Sequence, residues 1–535
     1  MVVELVTTLA CHAGGRGFKS RPSRHYKKAV RCSLTAFFVG EKSYLISSLT
    51  AHSFVAWKIV MFSFNKFIAK IIFFNLIFPS IFSFASVTVN DISRLNPIEV
   101  DSVFVPTQII EIQDKIKKTS SIISIGGGRY SMGGQTATEH ALQIDMRKMN
   151  NMIFLDEKAK KITVQAGIRW RDIQTAIDQK NLSLKIMQTY SNFTVGGSLS
   201  VNAHGRYVNQ GPIIHSVDSI KMVLADGSLV LCSPTQNKEL FYGAIGGYGA
   251  LGVIVEATLH LTENSKVERF VQEISVEKYK DYFFSAVKSD ANAVFHNGDF
   301  IFPEFKKIRA ITWSNTTKPL TIKDRLIPKD LKYLLQPITI SSISSIPKGS
   351  QVRNMLEPKL YSKPKVVWRN YEASYDVAEL EPLFRYPNTY VLQEYFIPVK
   401  NFEKFIPLMK KTFDDFQVNV INVSVRHALP DTGSLMSWAR EEVFSFVVYY
   451  KQGLKKQEKE KVARWTRKLI DHALSLNGTY YLPYQIHATN AQFMMAYPSY
   501  KEFFSLKEKV DPHNRFRNKL LDRYYLPTKI LEKNP

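Results

Sequence analysis

Residues 125–135 have the sequence Ile-Gly-Gly-Gly-Arg-Tyr-Ser-Met-Gly-Gly-Gln and follow a β-rich run that begins at Ser121. Glycines after a strand let the backbone approach a ligand and aim successive N–H groups at one point, so this loop is a candidate phosphate-binding nest. Arg129 can add a positive charge and Ser131 a hydroxyl donor. Taken alone, such a loop is more often a glycine-rich surface turn. A P-loop is excluded because the final Gly-Lys-Ser/Thr is missing.

A second segment of small residues lies at 193–205, with the sequence Phe-Thr-Val-Gly-Gly-Ser-Leu-Ser-Val-Asn-Ala-His-Gly. Small side chains allow the backbone to lie flat against a planar ring. Asn202 and His204 are the polar groups within reach of such a ring. A lone histidine is more often structural than functional, but its place inside this stretch favours a functional role.

A third glycine segment, at 246–254, contains Gly-x-Gly-x-x-Gly over residues 247–252. This spacing is the dinucleotide fingerprint, but a Rossmann site needs a strand before the glycines and a helix after them. Here a helix-like segment at 238–245 precedes the glycines and a strand at 253–261 follows them. The context therefore argues against a Rossmann site.

The order of these three segments resembles the FAD-binding oxidoreductases of the vanillyl-alcohol-oxidase type, which have a PCMH-type FAD-binding domain. That group includes aldonolactone oxidases, alditol oxidases and decaprenylphosphoryl-ribose oxidases. An Ala-Asp-Gly hairpin at 225–227 and a tail with Tyr-Tyr-Leu-Pro-Tyr-Gln-Ile-His at 480–487 extend the likeness to residues 90–530. The resemblance implies an α+β fold, with an FAD-binding domain of two α+β subdomains and a mixed-sheet cap domain over the substrate.

The same resemblance implies where FAD binds. The 126–135 loop would hold the pyrophosphate, residues 191–205 would run along the flavin, and 249–254 would lie near the adenosine half. Many relatives bond the flavin covalently to a histidine in the first loop, and the matching position here is Tyr130. We therefore expect non-covalent FAD. The candidate cofactor-binding residues are Gly126, Gly127, Gly128, Arg129, Tyr130, Ser131, Gly134, Gln135, Ser191, Thr194, Gly196, Gly197, Ser200, Asn202, Gly205, Gly249, Gly252, Val253 and Ile254.

In the family, the residues that face the substrate come from a strand of the second domain and from the tail. The matching candidates are Arg426, Tyr484, His487 and His204. Relatives often have lysine where Tyr484 stands, so the catalytic base is open between His487 and His204, since imidazole titrates near neutral pH. Arg426 either orients a substrate oxygen and supports flavin charge, or forms an ion pair.

Three functional hypotheses follow. The first is oxidation of a sugar lactone, a polyol or a similar alcohol by hydride transfer to flavin N5, with oxygen or another electron acceptor. The second is oxidation of a lipid-linked sugar together with a reductase partner in an epimerisation. The third is a non-enzymatic basic binding protein, which has no need of three glycine segments in this order.

Hydrophobic periodicity predicts the elements around these motifs. Ile109, Ile112 and Ile116 have helical spacing, as do Trp170, Ile173 and Ile177. Short strands are predicted at 142–146, 152–155, 162–166, 219–224 and 229–232, and long strands at 390–398, 418–426 and 443–450. The predicted domains are an FAD-binding domain at 86–265, a cap domain at 266–470, and a C-terminal segment at 471–535 that returns to the FAD site.

The beginning of the chain differs from the rest in composition. Residues 1–60 lack clear periodicity and are predicted to lie upstream of the true start. Residues 61–85 combine Lys66 and Lys70 with an apolar run and Ser-Phe-Ala, the arrangement of a secretory signal peptide. An uncleaved membrane anchor is the alternative. The sequence therefore predicts an exported or membrane-anchored protein.

Charge and cysteine content bear on three further features: a nucleic-acid partner, a disulfide framework and a metal site. The formal net charge is +24, but 11 of the 71 Lys and Arg residues lie in the first 85 positions, and much of the rest is typical of solvated helix faces. A nucleic-acid partner is therefore not expected. The three cysteines have no paired spacing, so neither a disulfide framework nor a metal site is predicted.

Overall fold

The computed structural model describes residues 86–533, with gaps at 330, 332–339, 341–343, 346–360 and 381–385. The predictions for residues 1–60 and 61–85 lie outside the described residues. Within the described part of the chain, no helix combines the length and the apolar character needed to cross a bilayer.

The secondary structure follows the predicted order. The strands are β1 (Val87–Val89), β2 (Ile98–Val100), β3 (Ser102–Phe104), β4 (Ile123–Gly126), β5 (Leu142–Asp145), β6 (Met152–Asp156), β7 (Lys161–Gln165), β8 (Leu182–Leu184), β9 (Val217–Val223), β10 (Leu229–Cys232), β11 (Val253–Glu263), β12 (Lys266–Ser275), β13 (Ala293–Phe300), β14 (Lys307–Asn315), β15 (Val366–Trp368), β16 (Asn388–Pro398), β17 (Asn419–Ala428), β18 (Val443–Gly453) and β19 (Thr479–Tyr480). The α-helices are α1 (Ile109–Lys118), α2 (Trp170–Ile177), α3 (Val195–Ser200), α4 (Lys238–Ala244), α5 (Val276–Tyr282), α6 (Arg369–Glu372), α7 (Phe402–Asp415), α8 (Lys456–Ser475), α9 (Asn490–Ala496), α10 (Tyr500–Val510) and α11 (Lys519–Lys533).

The first glycine loop follows strand β4, which belongs to a small parallel sheet with the strand order β3-β5-β4. Helix α1 forms the crossover between β3 and β4, and its Ile112 and Ile116 are fully buried, as their helical spacing predicts. Glu111 caps the start of this helix by accepting from the backbone N–H groups of Thr107 and Gln108. Strand β4 ends at Gly126, so the loop begins at the carboxyl edge of the sheet.

The second subdomain is an antiparallel sheet with the order β10-β9-β11-β7-β6, and β8 pairs with β11. The predicted Asp-Gly hairpin joins β9 to β10: Asp226 accepts from the backbone N–H of Ser228, and Gly227 has φ +80. Two α+β subdomains, one with a parallel sheet and one with an antiparallel sheet, therefore precede residue 266. The predicted α+β class is confirmed.

The cap contains an eight-stranded sheet with the order β15-β12-β14-β13-β17-β18-β16-β19. We predicted a mixed sheet, but every described pair in it is antiparallel, because short turns and returning helices connect successive strands. Helices α7 and α8 cover one face, where Trp465 packs edge-to-face against Tyr450 at a centroid distance of 4.8 Å. The opposite face of the sheet contributes to the cavities described below.

The C-terminal segment joins the cap to the first subdomain. Strand β19 pairs with β16 at the end of the cap sheet. Further along, Phe516 forms a parallel bridge with Ile123, and the Arg517 backbone N–H donates to the Ile123 carbonyl at 2.9 Å. Asn518 donates to the carbonyl of Tyr248 in the third glycine segment. One segment thus fixes elements from both domains.

A buried ion pair anchors this segment. Lys507 and Asp511 both have fully buried side chains, 2.9 Å apart, and Lys507 also donates to the carbonyls of Ala250 and Phe516. Asp511 in turn accepts from the backbone N–H of Phe516. Each charge is therefore compensated in a position that water does not reach.

Replacing Lys507 by methionine should lower the free energy of unfolding by roughly 3–5 kcal/mol, because it leaves the Asp511 carboxylate buried without its cation. Denaturant unfolding followed by circular dichroism measures this change. Lys509→Met is the matched control, since Lys509 is exposed and its pair with Glu239 spans 3.4 Å at the surface. Equal stability of the two variants would contradict the assigned role of Lys507.

Candidate active site

The three glycine segments meet at a deep cleft that also receives strands of the cap and the C-terminal segment. The cleft encloses about 1670 Å³ of empty space, including its mouth. The predicted site residues that line it are Gly127, Gly128, Arg129, Tyr130, Ser131, Gln135, Thr194, Gly196, Gly197, Ser200, His204, Gly249, Gly252, Ile254, Arg426 and Tyr484.

The first two glycine segments touch each other so closely that side chains are excluded. A Cβ atom on Gly127 would overlap the hydroxyl oxygen of Thr194, and one on Gly128 would lie 2.8 Å from the ring of Tyr130. The backbone N–H of Gly128 donates to the Thr194 hydroxyl at 3.3 Å. Gly127 and Gly128 both line the cleft, so a ligand there can approach the backbone of this loop.

Arg129 adds a positive charge beside the nest. Its backbone has φ +60, and its guanidinium lies 3.2 Å from the carboxylate of Asp145. The buried Nε of Arg129 has no hydrogen-bond partner among the described residues. A cation beside a glycine backbone that lines the cleft is suited to an anionic ligand such as a pyrophosphate.

The third segment confirms the predicted context of its Gly-x-Gly-x-x-Gly motif. Helix α4 precedes it and β11 follows it, the reverse of a Rossmann arrangement. Gly249 and Gly252 have φ values of +74 and +152, which L-residues with side chains rarely adopt. A Cβ on Gly252 would also lie 2.6 Å from the carbonyl oxygen of Val223.

Six predicted cofactor residues lie behind the cleft surface and do not line it: Gly126, Gly134, Ser191, Asn202, Gly205 and Val253. Asn202 is fully buried, and its amide donates to Asp431 at 2.8 Å and accepts from the backbone N–H of Ile214. Ser191 donates to the carbonyl of Tyr375. These residues support the cleft wall, because their polar atoms are turned towards neighbouring segments.

The cleft also contains a buried cluster of polar side chains from both domains. His204 Nε2 lies 2.6 Å from Glu394 Oε1, and the Tyr484 hydroxyl donates to Glu394 Oε2 at 3.2 Å. His204 and Glu394 have side chains only 5% and 2% exposed. Arg426 lines the same part of the cleft, and its Nε has no hydrogen-bond partner in the described chain.

Electrostatics keep Glu394 ionised. Burial alone would raise the pKa of Glu394, but the charge and hydrogen bond of His204, together with the charge of Arg426, bring it below its ordinary value. Burial and then the nearby Glu394 charge raise the pKa of Tyr484 well above its ordinary value. Burial lowers the pKa of Arg426, opposed by Glu394. The cluster therefore offers a carboxylate acceptor, a neutral phenol and a guanidinium donor.

His204 is occupied within this cluster. Its Nδ1 lies 3.3 Å from the carbonyl oxygen of Gly205 and its Nε2 lies 2.6 Å from Glu394 Oε1, so both ring nitrogens face oxygen atoms of the protein. Neither nitrogen can take up a substrate proton without giving up one of these contacts. The structure therefore favours a positioning role for His204 over the role of base.

His487 is not brought to the cleft. Its buried Nε2 has no partner in the described structure, and burial, aided by the charge of Arg467, lowers its pKa to about 4. The side chain is neutral at physiological pH, and it does not line the cleft. Of the two candidates in the tail motif, the structure places Tyr484 in the cleft lining and His487 outside it.

Glu394 was missed by the sequence analysis, although β16 contains a signal. Strand residues alternate between faces, and Tyr390, Leu392 and Glu394 all line the cleft, whereas Val391 and Tyr395 are buried on the other face. A charged residue in the middle of an otherwise apolar strand is costly unless it is paired. In the sequence Tyr-Val-Leu-Gln-Glu-Tyr-Phe-Ile-Pro, the contrast between Glu394 and its mostly apolar neighbours could have identified Glu394 as a candidate site residue.

These features fit a flavin dinucleotide. A glycine loop in the cleft wall, the Arg129 cation beside it and a cleft between two α+β subdomains together indicate a class: the FAD-binding oxidoreductases with a separate cap domain.

Comparison with known proteins places the chain within that class. A family model described as an FAD binding domain matches residues 101–233, and one described as D-arabinono-1,4-lactone oxidase matches residues 258–524. The chain belongs to the PCMH-type FAD-binding oxidoreductase family of the aldonolactone oxidases.

Individual relatives agree with this placement. L-gulonolactone oxidase of Bos taurus is 26% identical over 40% of this chain and 49% of its own length. The enzyme of the same name from Scyliorhinus torazame is 22% identical over 78% of this chain and 92% of its own length. D-arabinono-1,4-lactone oxidase of Yarrowia lipolytica is 28% identical over 29% of this chain and 31% of its own length. Alignments with the first three relatives compared span 37–49% of those proteins.

Replacing Gly127 by alanine should weaken FAD binding roughly 5- to 150-fold, the equivalent of ~1–3 kcal/mol of overpacking against the Thr194 hydroxyl. The flavin content of the purified protein, measured by visible absorbance, tests this. The double variant Gly127→Ala/Thr194→Ala should regain flavin, because the Thr194 Cβ lies 3.6 Å from the added methyl group. Thr194→Ala alone is the control. Full flavin content in Gly127→Ala would contradict the assigned close approach.

Proposed function

We propose that this protein is an FAD-dependent oxidoreductase that oxidises a CH–OH group of a sugar lactone, a polyol or a similar sugar alcohol. The observation that carries the proposal is the cluster of Glu394, Tyr484 and Arg426 in the glycine-lined cleft. An alcohol needs a proton acceptor and an oxygen-orienting donor when it is oxidised, and the cluster offers both. The names of the relatives support the substrate class.

FAD, when bound, supplies the oxidation itself by accepting a hydride from the substrate carbon. Arg426 orients a substrate oxygen through its spare N–H donor and stabilises negative charge that develops on it. The substrate hydroxyl proton passes to Glu394 Oε2, either directly or through the Tyr484 hydroxyl that already donates to it. His204 holds the carboxylate in place from its other oxygen.

Tyr484 replaces the lysine that often stands at this place in relatives. A lysine here would add a second cation beside Arg426, whereas the phenol adds no charge next to Glu394 and Arg426. A proton that passes through Tyr484 therefore moves through a neutral hydroxyl in this chain.

Free sugar lactones are favoured over lipid-linked sugars by the relatives, which are named for oxidation of sugar lactones. Oxygen or another small oxidant is the proposed electron acceptor, because several relatives are named oxidases.

The flavin should be bound without a covalent link, since Tyr130 stands where relatives have the linking histidine and a phenol lacks that nucleophilic nitrogen. After acid precipitation, the yellow colour should remain in the supernatant. Anaerobic addition of sugar lactones or alditols should then bleach the flavin bands of the holoenzyme. Colour that stays in the pellet contradicts the proposed non-covalent binding, and a folded but colourless protein contradicts the proposed function.

Replacing Glu394 by glutamine should lower kcat/KM by ~10²-fold or more, the usual contribution of a positioned acid–base group, with a smaller effect on KM. Because the pKa of Glu394 lies below its ordinary value, the wild-type enzyme should lose activity only as the pH falls through that lowered pKa. The glutamine variant should lack this acidic limb. Steady-state kinetics across pH measure both effects.

Glu403→Gln is the matched control, because Glu403 forms a surface pair with Lys280 outside the cleft. It should keep the wild-type rate and pH profile. An unchanged acidic limb in Glu394→Gln, with flavin still bound, would show that another group accepts the proton.

A further inference from the structure

A second cavity, which we call the annex, opens from the inner end of the cleft. It encloses about 1210 Å³, including its mouth. The cleft and the annex share Thr189, Tyr190, Leu392, Arg426, Val447 and Tyr449. A ligand held beside Arg426 can therefore extend into the annex without leaving the protein.

The floor of the annex is the face of the cap sheet opposite α7 and α8. Because side chains alternate along a strand, Asn297 and Asp299 project from β13 on the same side, as do Asn422 and Ser424 from β17. Strands β13 and β17 are neighbours in the sheet. A buried sheet face is usually apolar, and polar groups there are costly unless something satisfies them.

Other polar groups around the annex have no hydrogen-bond partner within the described chain, and they include donors and acceptors. Glu372 Oε2 and Thr189 Oγ1 are buried without a hydrogen bond within the described chain, as is Arg426 Nε. Asp299 accepts from the side-chain amides of Asn297 at 3.0 Å and Asn422 at 3.3 Å, and no described salt bridge includes it. The annex thus offers acceptors and donors side by side.

This mixture selects a ligand whose groups both donate and accept. A sugar hydroxyl does both, whereas a phosphate or a carboxylate only accepts. Such an anion could pair with the cations of the annex, but it would leave the carboxylates of Asp299 and Glu372 facing a like charge. The cations are Arg206, Arg269, Lys365 and Arg426. Aromatic side chains complete the lining: Trp313 and Tyr361 stand beside Arg269, whose guanidinium lies 4.9 Å from the Tyr361 ring. The apolar C–H face of a sugar ring packs well on such a surface.

The position of the annex argues in the same direction. Glu394 and Tyr484 line the cleft but not the annex, so a sugar unit that reacts beside them leaves the annex available to a further unit. We infer that the annex binds a second sugar unit, so that the preferred substrate is a glycosylated polyol or lactone. This inference rests on the proposed function.

Anaerobic flavin reduction of the holoenzyme by paired sugars tests the inference. Sorbitol is compared with maltitol, and gluconolactone with maltobionolactone, so that each pair differs by one glucose unit. In whichever pair the enzyme oxidises, the glycosylated sugar should have a kcat/KM ~10-fold or more above that of the single sugar. This factor lies within the range that added pocket contacts provide.

Asn422→Trp tests the location, because its bulk would fill the annex while leaving Glu394 and Arg426 in place. We expect it to remove the advantage of the glycosylated sugar and to leave the single-unit rate within about twofold of the wild type. Asn422→Ala should lose only part of that advantage. Because alanine is small, this variant shows whether an effect of Asn422→Trp comes from misfolding. Asn419→Trp is the control, since Asn419 is exposed on the same strand and does not line the annex.

Equal kcat/KM for both members of an oxidised pair would overturn the inference, as would an advantage that survives Asn422→Trp. If neither pair reduces the bound flavin, the proposed function fails for these sugars. Titration calorimetry of the holoenzyme with maltose then tests sugar binding in the annex separately. Binding that is lost in Asn422→Trp supports the annex, and no binding to the wild type overturns it.

Discussion

The rest of the site depends on the contact between the first glycine loop and the segment that begins at Thr194. Neither Gly127 nor Gly128 has room for a side chain, so the strand β4 can end directly against the other subdomain. This contact fixes where the loop's N–H groups point and where helix α3 begins. The cleft is therefore shaped by backbone packing and not by the side chains that later contact a ligand.

The cap contributes to the cleft through the alternation of its strands. In β16, one face packs against the helices and the other presents Glu394 to His204, which lies 190 residues earlier in the chain. In β17, the same alternation presents Arg426 to the cleft and Asn422 and Ser424 to the annex. A single sheet face thus supplies both the reactive cluster and the adjoining cavity, with Arg426 at their boundary.

Much of this could be predicted from the sequence, and the limits have physical causes. The three glycine segments and their flanking helices and strands are local patterns, so the fold and most of the cleft lining followed from them. Glu394 could not be assigned, because its meaning depends on a partner from another domain. Asn202 and His487 are polar residues in the expected segments, but the local backbone turns their side chains into the protein. The annex required the strand order of the cap sheet, which the sequence does not display.

The C-terminal segment supplies Pro483 and Tyr484 to the cleft and ties β4 to the rest of the protein through Arg517. Because this segment follows both domains in the chain, the cleft lacks one wall until the segment has been synthesised. Earlier parts of the chain can collapse around their own apolar residues before that point. The complete cofactor cleft is therefore assembled after the two domains that flank it have been made.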